Sequence, residues 1–192
     1  MDRQACRAAR IAVRRVVRHV LAFPLAVLLG AASAAARAEN NAVPAGIQPM
    51  TVSFFIDRKL PRQMRPSIEE AFRRVSDSRC QEILTDFRDP NGRTLSLNLA
   101  ATGQGLPAYL GWVIFYDGRS TPPCEDRRTL AWTSPGSRAV LVCWDQFAVN
   151  QRSNFGYTAN TIIHETLHTL GLGETPPDPR EITARVAARC GN

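Results

Sequence analysis

Histidine is almost missing from this chain. Only His19, His164 and His168 occur in 192 residues. Other absences are as informative. No Cys-x-x-Cys pair exists, which argues against a thiolate metal site. No apolar run of membrane-spanning length follows residue 38, which argues against stable membrane insertion of the remainder. Glycine (12) and proline (13) are ordinary in number, which excludes a collagen-like repeat. A concentrated positive surface is also lacking, although the net charge is +7. Residues 1–38 hold seven arginines against Asp2, a net of +6, leaving 17 basic and 16 acidic side chains in residues 39–192. Without a basic patch the main attraction for phosphate is absent, so no nucleic-acid partner is expected. What remains is 44 % apolar and 21 % charged, the composition of a globular protein.

The arginine-rich start has the form of an export signal. Arg3 through Arg18 make a positive region, Val20 to Ala36 is apolar, and Ala36-Arg37-Ala38 offers a small-x-small cleavage site. Cleavage after Ala38 would send the protein to the periplasm or the medium. Cys6 leaves with the leader, and Cys80, Cys124, Cys143 and Cys190 remain. An even number of cysteines in an exported chain predicts two disulfides. A hairpin around residues 129–144 favours Cys124–Cys143, which leaves Cys80–Cys190 to clamp the C-terminal helix onto an earlier one.

Residues 39–50 are polar and turn-forming and predict a loose lead-in to one domain over 51–192. Thr51–Asp57 is β-branched and aromatic and predicts a strand. Pro66-Ser67 opens a helix, with Ser67 and Glu70 at capping-box spacing; a second helical segment runs from Gln81 to Phe87. Leu95, Leu97 and Leu99 alternate, predicting a strand over Thr94–Ala100. Tyr109–Tyr116 is nearly continuously apolar and predicts a central strand. Thr129–Thr133 and Arg138–Trp144 flank a Ser-Pro-Gly-Ser turn and predict a hairpin. Asn150–Tyr157 predicts a loop. Helices are expected from about Thr158 to Leu170 and from Glu181 to Arg189. This order predicts an α+β domain.

Both histidines left after leader removal lie in His164-Glu165-Thr166-Leu167-His168. On a helix, residues four apart project from one face, so both imidazoles can reach one ion. Glu165 stands beside the first, where a carboxylate can take a proton from a metal-activated water. A catalytic zinc site needs a third protein ligand and an open position. With no histidine left, the third ligand is expected to be a carboxylate, with a cysteine as the lesser alternative. Gly171 can turn the chain sharply past the helix end and swing Glu174 back toward the pair. Asp178 and Glu181 are the alternatives. Tyr157, just before the helix, is expected to serve packing, with donation toward a reacting carbonyl as its alternative role.

The segment HETLHTLGLGE resembles the zincin metallopeptidases. It is similar to the extended metzincin signature, keeping His164, Glu165, His168 and Gly171, with Glu174 where that signature has its third histidine. The resemblance covers about eleven residues. It implies one Zn2+ per chain, ligands at His164 and His168, and Glu165 as general base. It also implies a mixed sheet with a backing helix, an active-site helix and a short C-terminal helix. A peptide or protein substrate would bind along an edge strand, Arg138–Trp144 or its hairpin partner. The expected protein is a monomeric exported zinc peptidase. The alternative is a non-catalytic secreted zinc-binding or disulfide-stapled interaction module.

Overall fold

The computed structural model describes residues 53–191; the leader, the lead-in and the first residues of the expected 51–57 strand lie outside the described residues. The fold is α+β. Four short strands form one mixed sheet: β1 (Phe55–Ile56), β2 (Ile114–Asp117), β3 (Ala131–Trp132) and β4 (Ala139–Val142). Their order is β1-β2-β4-β3, with β1, β2 and β4 parallel and β3 antiparallel at one edge. Phe115, Val140 and Val142 are fully or almost fully buried, so the central strands face the core.

The helices carry most of that core. They are α1 (Arg65–Val75), α2 (Ser78–Gln81), α3 (Ile83–Asp86), α4 (Leu95–Ala101), α5 (Leu106–Leu110), α6 (Trp144–Ser153), α7 (Phe155–Thr169) and α8 (Pro179–Cys190). α7 is the central element, packed against α1, α6, α8 and β3. Its Ala159, Ile162, Ile163 and Leu167 are buried. No helix among the described residues is long and apolar enough to cross a membrane.

Three sequence expectations are corrected. Residues 95–101 form a helix, not a strand. Leu95 and Leu99 are buried while Leu97 is 55 % exposed. Alternating leucines also satisfy an i,i+4 pattern, and this segment has no β-branched residue after Thr94 to favour extension. The apolar run from Tyr109 is divided between the end of α5 and β2, because Pro107 sits in a first helical turn. The expected loop at 150–157 is the end of α6 and the start of α7. Asn154 between them accepts a hydrogen bond from the Tyr157 amide, capping α7 earlier than expected.

Two smaller corrections concern α1 and the segment after it. Ser67 does not cap α1; it is buried, with its hydroxyl 2.9 Å from that of Thr158 on α7. Glu70 instead pairs with Arg73 and Arg74. The expected 81–87 helix is split into α2 and α3.

Both expected disulfides are present. Cys80–Cys190 joins α2 to the end of α8, and Cys124–Cys143 ties a surface turn to the end of β4. They fit an oxidising environment.

Candidate metal centre

The two histidines sit on α7, one turn apart, and their rings converge. His164 Nε2 lies 3.0 Å from His168 Nε2. Two ligands bound tetrahedrally to one zinc at 2.0–2.1 Å would be about 3.3 Å apart, so the spacing suits a shared ion. Glu174 brings Oε1 to 3.3 Å from His168 Nε2. One donor atom from each of His164, His168 and Glu174 lies within 4.8 Å of the others, and this group could hold a metal ion.

Each ring is held from behind. His168 Nδ1 donates to the Leu172 carbonyl at 2.7 Å. A carbonyl only accepts, so Nδ1 carries the proton and Nε2 presents its lone pair. His164 Nδ1 lies 3.1 Å from Thr183 Oγ1 on α8. Burial first, and then neighbouring His168, pull the His164 pKa down to about 3. The ring is therefore neutral at physiological pH and able to ligate.

The chain reversal after α7 delivers Glu174. Gly171 adopts a φ of +101°, which glycine accepts without strain. The amides of Gly171 and Leu172 return to the carbonyls of His168 and Leu167, closing the helix end. Asn98 braces this turn by donating to the Leu170 carbonyl and to the Asp89 carboxylate, both at 3.0 Å. The His168 carbonyl also accepts from the Gly136 amide, which pins the β3–β4 turn to the end of α7.

Glu165 is 6 % exposed, and its Oε2 is buried without a hydrogen-bond partner. Desolvation, then the nearby charge of Glu174, push its pKa up to about 8. The other carboxylates considered as ligands are engaged elsewhere. Asp178 caps α8 by accepting from the Arg180 and Glu181 amides. Glu181 pairs with Arg185.

The centre opens into a cleft of about 550 Å³. His164, Glu165, His168, Glu174, Tyr157 and Asn160 of the α7 region line it together with residues 129–133. β3 is the sheet edge there. Its register makes Leu130 and Trp132 face β4 with their main-chain groups, since the Cys143 amide donates to the Leu130 carbonyl. In an antiparallel pair the intervening residue points the other way. Ala131 therefore turns its N–H and C=O to the open edge.

No family model, curated protein or solved structure matches the chain. The chemistry of the centre accordingly rests on its own geometry.

Thr183 and Ala131 were not legible as site residues. Thr183 lies 19 residues after His164 on another helix, and Ala131 contributes only main chain. Partners that orient metal-bound histidines typically change affinity by about 10–100-fold when removed. Thr183→Val should weaken metal binding by about tenfold or more while leaving the helical circular dichroism unchanged, and Thr183→Ser should restore it. Equilibrium competition with a chromogenic chelator measures both.

Proposed function

We propose that this protein is an exported zinc-dependent peptidase. The observation that carries the reading is the convergence of His164, His168 and Glu174 beside a buried, unpartnered Glu165, at the wall of a cleft bounded by an open strand edge. His164, His168 and Glu174 would hold the ion through three protein donors beside the cleft, the donor count of a catalytic rather than a structural site. Two imidazoles and a carboxylate are a donor set suited to Zn2+. Zinc held there would supply Lewis-acid polarisation of a substrate carbonyl and would acidify a water.

The chain's own residues do the rest. His168 presents its Nε2 lone pair because its Nδ1 donates to the Leu172 carbonyl, and Thr183 holds the His164 ring from its Nδ1 side. Glu165 takes the proton of the attacking water and returns it to the departing amine, the role of a general acid–base carboxylate beside the reacting centre. Ala131 offers one N–H and one C=O to an extended peptide, which would add to the sheet beside β3. The hairpin partner of Arg138–Trp144 thus becomes the substrate strand, because β4 is covered on both sides by β2 and β3. Export is supported by the arginine-rich leader and by the disulfides.

The test is metal content together with cleavage. The purified protein should contain about one zinc per chain. It should cleave members of a library of internally quenched decapeptides, lose that activity to 1,10-phenanthroline and regain it with added Zn2+. Zinc bound at one equivalent without any cleavage would replace this reading with the non-catalytic module.

A further inference from the structure

Asn160 lies on α7 one turn before His164 and lines the same cleft. Its amide is oriented from behind. Arg74 on α1 donates from Nη1 to Asn160 Oδ1 at 2.7 Å. A guanidinium has no acceptor, so Oδ1 must face Arg74 and Nδ2 must face away from it. Arg74 is itself fixed: it is 8 % exposed, its Nε donates to Glu70 at 2.7 Å, and Nη1 also reaches the Gly156 carbonyl. Asn160 Nδ2 makes no hydrogen bond within the described residues. The result is a half-buried amide with its oxygen committed and two N–H donors left for the cleft.

An extended peptide paired with β3 uses one of its two edges. Its alternate carbonyls point away from β3 and need donors on the opposite side. One helical turn separates Asn160 from His164, a rise of about 6 Å. A strand advances about 3.3 Å per residue, so this spacing corresponds to about two substrate residues. We propose that Asn160 is a substrate-binding residue whose Nδ2 donates to a main-chain carbonyl of the peptide, one to two residues from the bond that is cleaved. Arg74 positions it, acting through the amide oxygen. Because the partner is main chain, Asn160 contributes to affinity for extended peptides in general rather than to preference for one side chain. The assignment rests on the peptidase reading above.

Two variants separate substrate binding from mere bracing of Arg74. Asn160→Asp keeps an oxygen for Arg74 and removes both N–H donors. Asn160→Ala removes both functions. With the best-cleaved member of the decapeptide library, both variants should raise KM about five- to tenfold and leave kcat within about twofold. Cleavage products should lose inhibitory affinity to the same degree, which reads binding without turnover. Zinc should remain at about one per chain. The thermal midpoint of Asn160→Asp should stay at that of the unmodified protein, while that of Asn160→Ala falls. A normal KM in Asn160→Asp beside a raised KM in Asn160→Ala would overturn the proposal, because bracing alone would then explain the residue. Normal KM values in both variants would sink it as well, with the peptidase reading intact. If the unmodified protein cleaves no library member, the peptidase reading falls and takes this assignment with it.

Discussion

Replacing Glu165 by Gln should abolish peptide cleavage, by about a thousandfold in kcat, while zinc stays bound. General acid–base groups contribute about 10²–10⁴ in rate, and Gln can neither accept the water's proton nor deliver one to the leaving amine. The fold should survive, for a reason specific to this site. Without an ion, burial pushes the Glu165 pKa up to about 8, so the metal-free chain folds around a neutral carboxyl, and it is the neighbouring cation that would favour the ionised form a base needs. Gln has nearly the shape of that neutral form. Its side chain occupies the same space, and no buried charge is added or stranded. Zinc affinity should change little, because the group that could hold the ion is His164, His168 and Glu174, not Glu165. Cleavage assays beside metal analysis of one preparation check both halves. A Glu165→Gln protein that still binds zinc and still cleaves at the original rate would rule out this residue as the base.

Loss of the Cys80–Cys190 bond should be the most damaging change to stability. The bridge spans 110 residues, against 19 for Cys124–Cys143. By chain entropy alone, closing the longer loop is worth about 5 kcal/mol and the shorter about 3 kcal/mol. The longer bridge also anchors α8, the helix that brings Thr183 to His164. Ion pairs from Arg189 to Glu82 and Asp86 reinforce the same contact but are partly exposed, and such pairs contribute about 1 kcal/mol or less. Replacing Cys80 and Cys190 together with Ser should therefore lower the unfolding free energy by about 5 kcal/mol in urea titrations. Zinc binding should weaken in the folded fraction as α8 loosens. Equal losses from removing either bridge would contradict this account.

Part of the site was readable from sequence because it is local. The i,i+4 spacing of His164 and His168 sets their convergence once α7 forms, and Gly171 permits the reversal that returns Glu174. Other readings failed where one pattern fits two structures. Leu95 and Leu99 mark one face of a helix as well as one face of a strand, and only their burial beneath the rest of the fold, with Leu97 left outside, separates the two. The run from Tyr109 failed similarly, since continuous apolarity carries no period. Asn150–Tyr157 looked like a loop because polar residues dominate it, yet packing of α6 against α7 makes helix the better state there.

By itself, then, the amino-acid order determined the paired imidazoles, the neighbouring carboxyl and the reversal at Gly171, all features whose geometry follows from short-range chain connectivity. Tertiary structure alone decided which main-chain groups line the cleft, that Thr183 and Leu172 would back the two rings, and that Arg74 would turn the Asn160 amide toward the opening. Those relations join residues up to 86 positions apart. They arise only when several apolar faces are buried together against α7, and no local pattern encodes which surfaces that burial will bring into contact.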